Sequence, residues 1–535
     1  MHASLWQHLA IRPCQLCMRR QYRTVAVLRA PDSARKSQRP EHNYQTNSAY
    51  NYLVDEDKAA VFDTFPTVTA KSLAHHTHQP KRIKMLARDF IDDSLYNPQY
   101  GYFSKQAIIL QAGGPQGFEF GSFRDNAAFQ AALSDKYAEF EEAESAPPST
   151  ASAGQRLNRL RGEAPKQVRQ PPSSPRQVWQ TPTEMFKPFY GQAVARYLLT
   201  QYKLTHFPYR DLVLYEMGAG NGTLMINILD YLRDNEPEVY ERTRYKIIEI
   251  STQLAKRQKT SLLHQTAEKQ GHGDKVEIIN KSIFDWDTVV PEPCFFLAME
   301  VFDNFAHDAI RYDLLTGQPY QALVAVDEAG DFHELLSPNI DPHARRYLRL
   351  RDKSSRASAT HPSLKVPLKL RQLRAMLPLA PNLTSPEFIP TRLMQFLDIL
   401  LAKFPQHRLL ASDFSSLPDA MEGVIAPVVQ TRYKGSMVPC STYMVLPGYF
   451  DIMFPTRWEE MNAMYSELSG AQSSRGYFHH VTHQQPRLAG AAGLKGKVYT
   501  HAAFLEDWGD VEATTTQSGE NPMLDFYQNA AFFAS

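Results

Sequence analysis

The segment Glu216-Met217-Gly218-Ala219-Gly220-Asn221-Gly222-Thr223 carries the clearest chemical signal in the chain. Alternate glycines permit a tight turn and let a ligand approach the main chain closely. A helix opening at Thr223 aims its amide dipoles at whatever occupies that turn. Spacing narrows the ligand class. A dinucleotide fingerprint puts its third glycine three positions after the second; here it comes two after, and Thr223 stands where that glycine belongs. Glu216, two residues before the first glycine, would repel a pyrophosphate but attract the cationic amine and sulfonium of S-adenosylmethionine (SAM). The pattern predicts a SAM site at Glu216, Gly218, Gly220, Asn221, Gly222 and Thr223, in preference to a dinucleotide site or a purely structural turn.

Other acids fall where such a site needs them. Glu249 ends a second apolar strand, and an acid there can accept hydrogen bonds from both ribose hydroxyls; the plainer alternative is a solvated strand end. Asp285, in Ser282-Ile-Phe-Asp285-Trp286, is placed to bind the adenine amino group with Ile283 or Phe284 against the ring, unless it is simply a loop acid. Glu300 and Asp303 follow a fourth strand, at the edge where open α/β sheets bind ligands. Methyl transfer is an in-line displacement, so the protein mainly positions the acceptor. Carboxylates can hold a guanidinium by paired hydrogen bonds and take up the proton released; helix-capping acids are the alternative. His307 is expected to line the same pocket or to serve as a structural histidine. Nothing in the sequence calls for a metal.

The elements that must position these residues alternate. Leu212–Glu216, Tyr245–Ile250, Val276–Ile279 and Cys294–Glu300 read as strands, with helices expected over Thr223–Arg233 and Thr252–Gln265. Strands separated by helices predict a mostly parallel sheet with right-handed crossovers. Met394–Phe404 reads as a helix and His407–Asp413 as a further strand. A helix is also expected from Lys84, with Met85, Leu86, Phe90 and Ile91 on one face, ending near Asn97-Pro98. Thr181-Pro-Thr-Glu184 reads as a helix start. The fold class is α/β, a Rossmann-like class I SAM-dependent methyltransferase with an inserted, mainly helical, substrate-facing region.

The domain organisation follows. Met1 to Pro31 holds Arg12, Arg19, Arg20, Arg23 and Arg29 and no acid, which predicts a mitochondrial transit peptide over 1–35. Cys14 and Cys17 fall inside it, and no second such pair completes a zinc site. A polar linker is expected at 36–80 and the catalytic domain at 81–535. Within that domain a disordered insertion is expected at about 141–178, the SAM-binding core at about 181–310, the cap at about 331–390, and C-terminal strands with a hairpin at about 405–510. The formal charge of the 535-residue chain is +1, so no global field favours nucleic acid. No apolar run approaches the ~20 residues that cross a bilayer, so neither nucleic-acid binding nor membrane insertion is expected.

Six segments in order resemble one known family. They are Asp93-Ser-Leu-Tyr-Asn-Pro98-Gln-Tyr-Gly101-Tyr102-Phe103, Gly218 to Met225, Ile248-Glu249-Ile250-Ser251 with Leu254 and Gln258, Glu300-Val-Phe-Asp303-Asn304, Ser412-Asp413-Phe414, and Pro447-Gly448-Tyr-Phe-Asp451-Ile452. Together they resemble the MidA-type mitochondrial protein arginine methyltransferases, the complex I assembly factor 7 family. The resemblance implies a SAM-dependent enzyme of the mitochondrial matrix that symmetrically dimethylates an arginine on a respiratory complex I subunit and supports assembly of that complex. Two departures suggest a divergent paralogue. Asn221 stands where the family has arginine, and Met299 where it has asparagine. The rival expectations are a non-catalytic assembly or scaffold protein that keeps the fold, and a methyltransferase with a different acceptor such as a small molecule.

Overall fold

The computed structural model describes residues 45–46, 61–105, 107–109, 117–145, 177–249, 263–354, 360–377, 380–433, 436–475 and 496–535. The expected transit peptide lies outside these residues, as does most of the insertion expected at 141–178. In chain order the strands used below are β1 (Gln45–Thr46), β2 (Ile83–Leu86), β3 (Leu212–Met217), β4 (Thr243–Glu249), β5 (Val276–Asn280), β6 (Cys294–Met299), β7 (Asp308–Tyr312), β8 (Pro319–Val326), β9 (Phe332–Ser337), β10 (Glu387–Ile389), β11 (His407–Phe414), β12 (Val428–Tyr433), β13 (Ser436–Cys440), β14 (Asp451–Met453), β15 (Lys497–Thr500) and β16 (Ala530–Ala534). The helices are α1 (Ala87–Tyr96), α2 (Pro182–Met185), α3 (Phe189–Thr205), α4 (Thr223–Asn235), α5 (Pro342–Ser354), α6 (Leu368–Ala375), α7 (Thr391–Lys403), α8 (Trp458–Arg475) and α9 (His501–Trp508).

The central sheet has seven strands in the order β15-β16-β11-β6-β3-β4-β5. β11, β6, β3, β4 and β5 run parallel, and β16 is antiparallel to both β11 and β15. β3 is buried at every position, as a strand covered on both faces must be. Leu212 and Leu214 pack with α3 and α4, whereas Val213, Tyr215 and Met217 pack with α7 and α8. β4 lies on one side of β3 and β6 on the other, so the strand order reverses here. A crevice opens at the carboxyl ends of strands flanking such a reversal.

The expected strands agree with β3, β4, β5, β6 and β11 to within a residue or two. The surroundings differ in five places. Lys84 and Met85 pair with Ala325 and Val324 as part of β2, so the helix starts only at Ala87; cross-strand pairing overrides the helical periodicity there. Residues 61–80 are not linker, because Phe62 and Phe65 are buried against Leu323, Ala325 and Leu335. Residues 141–145 continue the helix Asn126–Ser145, and Gln177–Trp179 is a strand. Helices α5 and α6 fall within the expected cap, but the insertion begins at β7. It rests on a second, antiparallel sheet ordered β1-β9-β8-β7-β10, with β2 also on β8. The C-terminal hairpin closes with β16 at Ala534, well beyond 510.

Candidate active site

The turn between β3 and α4 is built on left-handed backbone. Gly218, Gly220 and Gly222 have φ of +74°, +56° and +81°. A side chain at Gly222 would put its Cβ 2.9 Å from Leu263 Cδ2, and one at Gly218 would reach 3.0 Å from Val301 Cγ1. Both the backbone sign and the lack of room demand glycine. The turn is therefore a shallow cradle of main chain ahead of a helix N-terminus.

Acids face it from the flanking strands. Glu216 is buried, and its Oε2 accepts a 2.8 Å hydrogen bond from the Tyr245 hydroxyl. Burial pushes the Glu216 carboxyl up to about 7, and the charge of Glu249 pushes the same way. Glu249 is the last residue of β4, level with Asn280 of β5. Two neighbouring acids beside an amide cradle fit a cationic amine and a pair of ribose hydroxyls. Asn221 and Thr223 are placed differently from expectation. Asn221 Nδ2 and Thr223 Oγ1 both donate to Glu184 Oε1, at 2.9 and 2.7 Å. Lys187 Nζ donates to the other oxygen of Glu184 at 3.1 Å, and both partners of this ion pair are buried. Glu184 thus straps the glycine turn to α2. It is a site residue that the sequence reading did not select. Its signal is the Thr181-x-x-Glu184 pattern of a helix start. Thr181 does cap the Glu184 N–H, but the acid side chain turns to the glycine loop.

A second group of acids lies beyond β6. Glu300 adopts φ +54°, and its N–H donates to Ser412 O at 2.7 Å. A non-glycine residue held in that region is strained, and such strain clusters at functional sites. Asp413, from the end of β11, accepts from the N–H groups of Phe302 (2.7 Å), Asp303 (3.2 Å) and Phe414 (2.7 Å). Asp451, from β14, accepts from Asn304 Nδ2 at 3.3 Å. Asp303 Oδ1 and Asp451 Oδ2 are buried without a hydrogen-bond partner. Burial, then mutual repulsion with Asp413, Asp451 and Glu300, holds the Asp303 carboxyl well above its usual range. Burial and the charges of Asp413 and Glu184 do the same to Glu300, and burial alone to Asp451. Asp413 rises only to about 6, because backbone N–H donors oppose its burial. The strongest influences on these four carboxyls are burial, neighbouring carboxyls and hydrogen-bond donors, and none of these is a lysine or arginine. Tyr190 of α3 and Tyr527 line the Glu300 side, where that carboxylate's charge adds to burial in raising both phenols. Asp413 and Asp451 stand in two of the family-like segments but were not selected as site residues, and Tyr190 and Tyr527 carried no local signal.

The two remaining expected residues have other partners. Asp285 forms an exposed 2.8 Å ion pair with Lys71, so its carboxylate is engaged at the surface. His307 is a buried ring stacked on Phe454 at 3.9 Å, with Nδ1 2.7 Å from Phe305 O. Burial lowers it to about 3, so it is neutral at physiological pH and packs as a core residue.

The buried acids make stability depend on pH. A carboxyl whose folded value is raised holds its proton where the unfolded chain has lost it, so the folded state binds more protons. Glu216 at about 7 and Asp413 at about 6 therefore favour the folded state at low pH. That contribution is lost as pH rises from about 4 to about 7, by up to about 1.4 kcal/mol per pH unit for each group. The ligand-free protein is expected to melt at a higher temperature at pH 5.5 than at pH 8, as read by calorimetry, and E216Q and D413N to flatten the difference. Equal midpoints for the wild-type protein would remove this reading of the site.

A family profile described as "Putative S-adenosyl-L-methionine-dependent methyltransferase" matches residues 193–477, more than half of the chain. The chain belongs to this family. Its cofactor is SAM, and the cradle and acids described above fit that molecule. The chain is also similar to the mitochondrial protein arginine methyltransferase NDUFAF7 homolog of Schizosaccharomyces pombe, with 28% identity over 258 residues. That match covers 46% of this chain and only about half (52%) of the fission yeast protein. Two Burkholderia thailandensis structures are also similar to the chain. One, solved with S-adenosyl-homocysteine bound, shares 14% identity over 90% of this chain and 94% of its own, with a TM-score of 0.46. The other shares 16% identity over 52% of this chain and 63% of its own, with a TM-score of 0.35.

Proposed function

We propose that this chain transfers the methyl group of SAM to the guanidinium of an arginine in a protein acceptor. The carrying observation is the group formed by Glu300, Asp303, Asp413 and Asp451, in which no lysine or arginine is among the strongest influences on any of the carboxyls. Carboxylates removed from water are costly until a cation joins them. A guanidinium offers a planar fork of donors that suits paired carboxylate oxygens. In this reading Gly218, Gly220 and Gly222 hold the cofactor through the main chain, Glu216 faces its amine, and Glu249 its ribose. Bound there, SAM supplies a methyl group on a positively charged sulfur. Glu300 and Asp303 hold the guanidinium, point a nitrogen at that methyl, and take up the proton the nitrogen loses. Tyr190 and Tyr527 wall the group against solvent. The name of the fission yeast relative supports arginine as the acceptor and mitochondria as the compartment. By the family resemblance we extend the proposal to the matrix, to symmetric dimethylation, and to a complex I subunit whose assembly the reaction supports.

Calorimetric titration with SAM tests the cofactor half. G222V is expected to abolish binding. Glu249→Ala should weaken it about 10- to 100-fold, the loss of one or two hydrogen bonds to a charged group. A folded protein that takes up no SAM would overturn the proposal. Tight SAM binding with no turnover on arginine-containing protein acceptors would favour the non-catalytic assembly role instead.

A further inference from the structure

Helix α6 is amphipathic in the reverse sense. Its Arg371 donates through Nη1 to Leu314 O in the β7–β8 turn and through Nε to Val366 O, which ties one side of the helix to the tip of the inserted sheet. At ~100° per residue, Leu373 falls nearly opposite Arg371 and Leu370 about 100° from it, and Met376 and Leu377 follow past the helix end. These four are 56%, 63%, 81% and 61% exposed. Lys369 and Arg374, both exposed, flank the stripe on its two edges. A surface helix ordinarily buries its apolar side and shows its charges, and an exposed apolar patch of this kind marks a docking face. From Lys353 to Pro386 the sequence contains no Asp or Glu, so what docks must be apolar inside and negative at its rim.

We propose that α6 seats the protein on an anionic lipid surface. The stripe is aliphatic and has no Trp, Tyr or Phe, whereas protein interfaces draw their anchoring energy from aromatic residues and arginine and use leucine less. Leucines between flanking cations suit a headgroup plane. The apolar chains enter the acyl boundary while lysine and arginine stay among the phosphates. No helix among the described residues is long and apolar enough to cross a membrane, so the contact is peripheral.

Vesicle flotation of the full chain tests this independently of methyl transfer. The probes are phosphatidylcholine vesicles, alone or with about one-quarter phosphatidylglycerol, a composition that gives the anionic surface potential. The wild-type chain is expected to float with the anionic vesicles only, and less as salt rises. L370Q/L373Q and K369E/R374E should each lower the bound fraction at least about 10-fold while keeping wild-type SAM affinity, which shows that the core is folded. The arginine-rich first 31 residues also carry positive charge, so each variant is read against the wild-type chain. Flotation unchanged in both variants, or absent in the wild type, would overturn the proposal. Absent flotation would leave an acidic protein groove as the partner of this face.

Discussion

Asp303→Asn is expected to slow methyl transfer to an arginine-containing acceptor at least about 100-fold, the scale of a lost proton acceptor, with SAM affinity nearly unchanged. The substitution is almost isosteric, and the backbone at this residue is held from both sides. Its N–H donates to Asp413 and its carbonyl accepts from Phe454 N–H at 2.7 Å. The loop should therefore survive. What changes is the side chain, because an amide neither carries the negative charge that attracts a guanidinium nor takes up its proton. Asp413→Asn makes the useful contrast. Asp413 caps the N–H groups of Phe302, Asp303 and Phe414, so its loss should disturb the loop and with it stability as well as turnover. Single-turnover rates together with SAM titration separate the two. Full activity in Asp303→Asn would sink the assignment of this group to the acceptor.

The second large effect concerns Glu184. Glu184→Ala removes both acceptor oxygens at once. It removes the acceptor that Asn221 and Thr223 share, and it leaves the Lys187 ammonium buried without its carboxylate. Breaking one side of a buried ion pair typically costs about 3–5 kcal/mol, and the glycine turn loses its strap in the same step. Thermal unfolding should shift down by roughly 6–20 °C, taking 2–4 °C per kcal/mol for a large domain, and SAM affinity should fall with it. Glu184→Gln keeps an acceptor for Asn221 and Thr223 but not the charge opposite Lys187, so its loss should be intermediate. A Glu184→Ala protein that melts and binds SAM like the wild type would show that the turn holds its shape unaided.

Glu184 also shows where local reading stops. Thr181-Pro-Thr-Glu184 announces a helix start, and α2 begins there with Thr181 as its cap. Nothing in four residues reveals that the acid side chain crosses to a loop some forty positions later. His307 shows how little a lone histidine says: pocket group or structural ring were both open three residues beyond Asn304, and the structure stacks the ring on Phe454 beside a small cavity that Phe302 also lines. The stretch after Lys84 fails for a third reason. Its apolar spacing suits a helix, yet β8 offers Lys84 and Met85 strand partners, and pairing with a sheet outweighs weak helical propensity.

Whatever depends on near neighbours was legible in the order of residues. Apolar runs at strand length, helical spacing between them, and glycines that must take positive φ specify the alternating sheet and the glycine turn, because backbone conformation and burial pattern act over a few residues. Glu300 and Asp303 were legible after a strand end, but their joining with Asp413 and Asp451 in one group is a property of the tertiary structure. Asp303, Asp413 and Asp451 are separated by more than a hundred positions from first to last, and each alone is an ordinary acid. Only parallel pairing of β6 with β11, and the return of β14 against the loop after β6, bring them into one buried space. There desolvation and mutual repulsion give them chemistry that none has separately.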